Sequence, residues 1–237
     1  MHESLWDAIA KVERRHWWFR GRREVIARVL ERALPPGSAV LDIGCGTGFV
    51  LERLAHRFTV TGLEPDATVR GRAVAPIRNA ILEGSSDDLS VLEGNQFDAA
   101  TMLDVLEHLD DDVAALRNIR TVLSDNGLLL ATVPADPSLW SVHDELNEHR
   151  RRYTPESLRR ALVDAGYVIE KLAYLNVRLY PLARFHRSHA GDPCRALTVP
   201  AAPVNSLFAW LFANEQPAGL ASKGLSLLAV ARPGTDS

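Results

Sequence analysis

The sequence predicts an α/β fold, a mainly parallel sheet wrapped by helices. Two features predict it. Apolar runs recur at 39–43 (AVLDI), 58–64 (FTVTGLE), 96–103 (QFDAATML) and 127–134 (GLLLATVP), with amphipathic segments between them. Strand, crossover helix, strand is how parallel sheets are built. The first run also leads straight into Gly44, Gly46 and Gly48, and a helix signal follows. Glycines there let the backbone turn tightly and lie close to a ligand, while the first N–H groups of the next helix face its polar end.

The elements follow in order. Residues 4–15 read as a helix with Leu5, Ile9 and Val12 on one side. Trp17, Trp18 and Phe19 are consecutive, so one helical face cannot hold all three. With Arg20, Arg22 and Arg23 they read as part of a lid, Trp18 walling a pocket and an arginine such as Arg22 clamping a carboxylate. An amphipathic helix at 23–34 is ended by Pro35, Pro36 and Gly37. After the glycine turn come a helix at 49–56, strand two at 58–64, a helix at 68–75 stopped by Pro76, and a weak third strand at 79–82. The polar loop from Gly84 to Leu89 follows; strand four then passes into a helix beginning near Asp104 or Asp110.

Residues 135–153 (ADPSLWSVHDELNEHRRRY) break the alternation. They start at the carboxyl end of strand five, where open α/β sheets bind their ligands. Thr154 and Pro155 then start a helix that runs over 156–165, and 167–174 reads as strand six. The apolar NSLFAWLFAN at 205–214 reads as a core helix, a subunit contact, a hydrophobic substrate wall or a membrane-surface contact; 224–232 is a last strand.

The 237 residues fit one elaborated domain: a helical lid at 1–36, a cofactor-binding core at 37–174, a substrate cover at 175–222 and the final strand at 223–232. With 27 Lys and Arg against 30 Asp and Glu, a net charge of -3 argues against a bulk nucleic-acid binder. Two cysteines, Cys45 and Cys194, make neither a disulfide framework nor a cysteine-built metal site. The opening residues lack a leader's apolar core, and no apolar run is long enough to span a bilayer. A cytoplasmic protein, monomeric or homodimeric, is expected, with peripheral lipid contact open.

Glu64 ends strand two about twenty residues beyond the glycines, where an acid accepts hydrogen bonds from ribose hydroxyls in nucleoside sites. LDIGCGTG, Glu64 and FDAATMLDVLEHLDD together resemble the class I S-adenosylmethionine-dependent methyltransferases, closest to the small-molecule branch that includes ubiquinone-type O-methyltransferases. ERRHWWFRGRR and HDELNEHRRRYT resemble one bacterial subgroup of that branch. The resemblance implies a Rossmann-like seven-stranded sheet of order 3-2-1-4-5-7-6, its seventh strand antiparallel, with the N-terminal helices and the insertion between strands six and seven over the site.

It also implies S-adenosylmethionine as cofactor and S-adenosylhomocysteine as product. Asp42, Gly44, Cys45, Gly46 and Gly48 then surround the methionine part, Glu64 and Pro65 lie at the ribose, Ser86 and Asp87 border adenine, and Leu103 lines the far side. Arg22 or Arg23 pairs with the cofactor carboxylate. Many relatives carry an acid where Ser85 stands, so adenine recognition shifts to Ser86 and Asp87.

Methyl transfer needs alignment, exclusion of water and, for a hydroxyl or ammonium, a base. It needs no metal, and none is expected; His143, Glu145 and His149 match no strong ligand spacing. The candidate bases are His108, His143 and His149; His143 leads, with His149 and Tyr153 assisting orientation, Trp140 walls the pocket and Arg152 binds an anionic substrate. The function expected is methylation of an O, N or C nucleophile of a small organic molecule, in specialised metabolism. The alternatives are a lipid or isoprenoid acceptor and a non-catalytic cofactor-binding module.

Overall fold

A computed structural model describes residues 3–181, 184, 198–217, 219, 220 and 223–234. Part of the cover expected at 175–222, Cys194 included, lies outside these residues.

Seven strands form one sheet: β1 (Ala39–Ile43), β2 (Thr59–Leu63), β3 (Ile81–Leu82), β4 (Phe97–Leu103), β5 (Leu123–Pro134), β6 (Tyr167–Leu175) and β7 (Ser226–Pro233). Their order is β3-β2-β1-β4-β5-β7-β6. The first five pair in parallel, and β7 runs antiparallel between β5 and β6. The implied topology is therefore the observed one.

Helices cover both faces. They are α1 (Glu3–Val12), α2 (Trp17–Ala33), α3 (Phe49–Leu54), α4 (Ala67–Gly71), α5 (Ala75–Arg78), α6 (Asp112–Val122), α7 (Val142–Leu146), α8 (Pro155–Asp164) and, by our numbering, α9 (Ala202–Ala213). Strand β5 shows why its sequence is apolar without alternation. Leu129, Ala131 and Val133 face a cluster with Leu116 and Ile119 of α6 and Leu158 and Leu162 of α8. Leu128 and Leu130 face a second cluster with Ile26 and Leu30 of α2 and Phe212 of α9. A strand buried on both sides has no solvent face to mark with polar residues.

Several boundaries differ from the sequence reading: the helix expected over 68–75 is two, α4 and α5, with Pro76 in the first turn of α5, and β5 begins at Leu123 rather than Gly127. The helix over α2 begins at Trp17, not Arg23, because the His16 side chain caps it by accepting from Trp18 N–H at 3.2 Å. Asn205 of α9 fixes the same corner, accepting from Trp17 N–H at 2.9 Å and donating to the Arg15 carbonyl at 2.7 Å. No helix starts at Asp104: that residue sits at φ 57°, a single helical turn spans Leu106–His108, and α6 begins after the Asp111 cap. The turn keeps Glu107 and His108 at the sheet edge instead of carrying them up a helix.

Strand order reverses between β1 and β4, the switch point at which doubly wound sheets open a crevice beyond the strands' carboxyl ends. The 135–153 excursion closes at its base over that crevice, through Tyr153 N–H to the Pro134 carbonyl at 2.9 Å and Asp136 N–H to the Tyr153 carbonyl at 3.0 Å. Among the described residues, no helix is long and apolar enough to cross a membrane.

Candidate active site

A cavity of about 1210 Å³ fills the crevice, open from the glycine turn to the 135–153 excursion. Of the residues expected at the site, Asp42, Gly44, Cys45, Gly46, Glu64, Pro65, Ser86 and Leu103 line one side. His108, His143, His149, Trp18, Arg22, Trp140 and Arg152 line the rest. Four expectations fall elsewhere. Gly48 supports the turn from behind. Asp87 is exposed outside the lining. Arg23 turns away, over the Phe49 ring at 4.1 Å and toward Glu24 and Glu52, so of the two arginines only Arg22 faces the cavity. Tyr153 is buried in the core: its hydroxyl donates to Asp112 Oδ2 at 2.6 Å and lies 3.2 Å from the Leu106 carbonyl. Burial and the Asp112 carboxylate hold that phenol well above its usual titration, so it is a strut and neither a proton acceptor nor an orienting group in the cavity.

The cofactor half is built from backbone. Gly44, Gly46 and Gly48 all take positive φ (65°, 58° and 76°), a conformation that glycine reaches without steric cost. The turn so formed points Gly46 N–H at Glu64 Oε2, 3.0 Å away, while Asp66 N–H reaches Oε1 at 3.1 Å. Each carboxylate oxygen has a second lone pair, and Glu64 lines the cavity, so the acid retains acceptor capacity for a pair of sugar hydroxyls. Burial raises its pKa. Asp42 is the last residue but one of β1 and is 2% exposed; Thr101 of β4, its register partner, donates to Oδ1 at 2.5 Å. Burial pushes the Asp42 carboxyl up to about 7, against the Thr101 bond and the Arg22 charge.

Residues outside the sequence expectation complete this half. Trp6 of α1 lies over the turn, 3.3 Å from where a Cβ on Gly46 would sit. Glu13 accepts from Thr47 Oγ1, with its two oxygens at 2.7 and 2.9 Å. Neither has a local motif; only the docking of α1 on the turn brings them in.

The acceptor half is built from side chains far apart in sequence. Residues 149–152 zip onto the loop after β4: Arg150 N–H donates to the Glu107 carbonyl at 2.8 Å, Arg150 Nε to the His108 carbonyl at 2.8 Å, and Arg151 Nη2 to the Leu109 and Asp110 carbonyls, both at 2.9 Å. That seam sets the rings of His108 and His149 edge to face, centroids 4.9 Å apart. His149 Nδ1 meets Asp144 Oδ1 at 2.9 Å. Asp144 is fully buried and also takes a two-pronged contact from Arg152, Nε to Oδ1 at 2.8 Å and Nη2 to Oδ2 at 3.0 Å. His149 and Arg152 hold Asp144 well below the usual carboxylate range despite its burial. Arg152 spends Nη1 on the Ala135 carbonyl at 3.0 Å; with its side chain 2% exposed, this guanidinium braces the excursion and is not presented to an anionic substrate.

Burial and the neighbouring His149 lower the His108 pKa to about 4, so that ring is neutral at physiological pH. Glu107 is completely buried, neither carboxyl oxygen has a hydrogen-bond partner, and burial beside Asp104 raises its pKa well above the ordinary value. It stands 4.0 Å from His149 Nε2. His143 lines the same cavity, on α7. The sequence grouping of His143, Glu145 and His149 is not the one that converges: ligating atoms of Glu107, His108 and His149 lie within 4.8 Å of one another. Proximity of that order is equally what a compact histidine–carboxylate cluster shows.

Between the halves, Arg22 stacks on Trp18 at 4.9 Å, reaches Asp104 Oδ2 at 3.1 Å and donates to Thr132 Oγ1 at 2.9 Å. The remaining walls are aromatic and apolar, among them Trp17, Phe19, Trp140, Leu179 and Phe208.

Known proteins share both the sequence pattern and the fold. The ubiquinone biosynthesis O-methyltransferase of Xanthomonas axonopodis pv. citri (strain 306) is 28% identical over 173 residues, covering 65% of this chain and 71% of that protein. Among solved structures, a chain from the complex between the Haloferax volcanii Trm112 methyltransferase activator and its methyltransferase superposes with a TM-score of 0.63 at 19% identity, covering 99% of this chain and 96% of that one. CalO1, a methyltransferase of calicheamicin biosynthesis solved with S-adenosylhomocysteine, gives 0.55 at 15% identity over 91% of this chain and 54% of its own. These structural likenesses show the fold. A family model described as a methyltransferase domain matches residues 16–172. That match spans more than half of the chain and takes in the glycine turn, Glu64 and the histidine cluster; the chain belongs to this methyltransferase family and is an S-adenosylmethionine-dependent methyltransferase.

Proposed function

We propose that the enzyme methylates a hydroxyl or amine nucleophile of a small organic molecule, and that His149 takes the proton. The observation that carries this reading is the position of His149: it lines the cavity, and its Nδ1 is tied to a buried, ionised Asp144. Imidazole suits proton removal near neutral pH, and an apolar, aromatic enclosure excludes competing water.

The residues present fit the cofactor. Asp42, Gly44, Cys45 and Gly46 would hold its methionine end, Glu64 and Pro65 its ribose and Ser86 its base, with Leu103 lining the far side. When bound, the cofactor would supply an electrophilic methyl group on a good leaving group. The chain's own residues align the acceptor between the aromatic walls and receive its proton at His149 Nε2. His143, the first choice from sequence, lines the same cavity and is the secondary candidate.

The test is transfer of labelled methyl from S-adenosylmethionine to a panel of phenols, aliphatic alcohols and primary amines. We expect an O- or N-methylated product, with His149→Ala slowing turnover by roughly 10²–10⁴-fold, the usual worth of a general base. Full turnover in that variant, or methylation at carbon alone, overturns the reading.

One observation favours a second reading, a lipid or isoprenoid acceptor. Helix α9 exposes Leu207 (52%) and Trp210 (60%) while Phe208 of the same helix lines the cavity. Turnover that requires vesicles or detergent supports that acceptor class.

A further inference from the structure

The 135–153 excursion contains a buried ion pair, Asp144 and Arg152, of which Arg152 borders the cavity and Asp144 lies behind it. We propose that Asp144, clamped by Arg152, is a positioning residue that fixes His149 in its Nδ1–H tautomer and so presents a bare Nε2 to the acceptor. This rests on the reading of His149 as the proton acceptor and gives that reading its structural cause.

Geometry carries the inference. Asp144 Oδ1 is 2.9 Å from His149 Nδ1, and Asp144 belongs to the first turn of α7, where its Oδ2 accepts from Ser141 N–H at 2.9 Å. The carboxylate is thus held from three sides: by the helix start, by the planar fork of Arg152 and by the imidazole. It cannot rotate away without breaking the Arg152 pair. An ionised carboxylate only accepts, so the ring nitrogen facing it must carry the hydrogen. The neutral ring has one N–H; with it at Nδ1, Nε2 is left with its lone pair.

His149 Nε2 lies toward the loop after β4. Glu107, at 4.0 Å, is beyond hydrogen-bond reach, and His108 meets the ring edge to face. The charged and titratable groups facing the ring are Asp144 on α7, Arg152 on its own strand of the excursion, and Glu107 and His108 on the loop after β4; His143 lines the same cavity. The consequence is a choice of acceptor. An oriented base of this kind serves a nucleophile that must lose a proton as the methyl arrives, a hydroxyl or an ammonium, and adds nothing for one that is already anionic or carries no proton.

Arg152 has the complementary part. Its Nε and Nη2 bind the two oxygens of Asp144 and its Nη1 binds the Ala135 carbonyl at the end of β5, so the dyad's position is referred to the sheet edge itself. Lysine keeps the charge but not the fork, and loses that registration.

The experiment is nitrogen NMR of the full chain with labelled histidines, assigned to His149 by loss of its signals in His149→Gln. On the alkaline side of the ring's titration, we expect Nδ1 protonated and Nε2 bare in the wild-type protein. Asp144→Asn is expected to shift the balance toward Nε2–H, and Arg152→Lys to broaden it into a mixture. A wild-type ring with Nε2 protonated overturns the proposal, as does an unchanged balance in Asp144→Asn. If Asp144→Asn does not fold, the wild-type tautomer and Arg152→Lys still decide. Spectra are recorded with and without EDTA; a tautomer that depends on the chelator assigns the nitrogen to an adventitious or bound ion and overturns the role of Asp144. Failure of the underlying reading shows elsewhere, as loss-free methyl transfer in His149→Ala while the ring shifts stay as predicted.

Discussion

The two halves of the cavity are made by different means. The cofactor half is local and backbone-built: a glycine turn, two N–H groups and one acid at the end of the next strand. The acceptor half is assembled from the loop after β4 and an excursion some forty residues later: side chain to backbone bonds cross that gap, and side chain to side chain bonds tie the excursion together. Backbone geometry tolerates many sequences as long as the glycines stay. A buried side-chain network does not, because each member leaves another unsatisfied when it is removed.

The comparison can be broken at its strongest point first. Asp144→Ala leaves Arg152 buried without its partner and should lower folding stability by about 3–5 kcal/mol, measured by denaturant titration. A loss below ~1 kcal/mol would mean that the acceptor half is not the tightly coupled network described. In the cofactor half, Gly48→Val places a branched residue at φ 76°, with its Cβ only 2.3 Å from Ile77 Cδ1. The backbone strain alone should cost about 1–3 kcal/mol. A melting temperature equal to wild type would show that the turn is less constrained than its φ values imply.

Glu64→Gln sharpens the contrast, since it should spare the fold and weaken cofactor binding. Loss of charge-assisted hydrogen bonds worth about 1.5–3 kcal/mol corresponds to roughly 10–100-fold in affinity for S-adenosylhomocysteine by calorimetry. Unchanged affinity removes Glu64 from the ribose.

The halves should also respond to acid with opposite signs. His108 titrates at about 4 in the folded chain, below its ordinary 6.5. Between those values the unfolded chain binds more protons, so this group's contribution is present above pH 6.5 and is lost as pH falls toward 4. Asp42 is displaced the other way, from 3.8 to about 7. Over that window the folded chain binds more protons, so its contribution is full below pH 3.8 and is lost as pH rises toward 7. Over this shared window, melting temperature should therefore fall more steeply with rising pH in His108→Phe and rise more steeply in Asp42→Asn. A slope change of the same sign in both variants would refute the assignment.

The last test is Tyr153→Phe. It removes a hydroxyl bonded to Asp112 and the Leu106 carbonyl and should cost about 1–3 kcal/mol in stability, because Asp112 loses a buried donor. A selective loss of turnover in a stably folded variant would return Tyr153 to the catalytic site.

The sequence by itself determined the sheet, its crossovers, the glycine turn and Glu64, because each is written within a few consecutive residues as an apolar run, a backbone conformation or a strand end. It also marked 135–153 as the segment that departs from the fold. Only the tertiary structure decided which ionisable groups of that segment matter and for what. Tyr153 and Arg152 look like site residues in sequence, yet the core and Asp144 claim them; Glu107, unremarkable within LEHLDD, becomes a buried unpartnered acid beside His149. Trp6 and Glu13 enter the cavity wall only because α1 docks on the turn. The physical reason is range: backbone conformation is set by neighbours in the chain, whereas the protonation and orientation of a side chain are set by whatever packing brings against it.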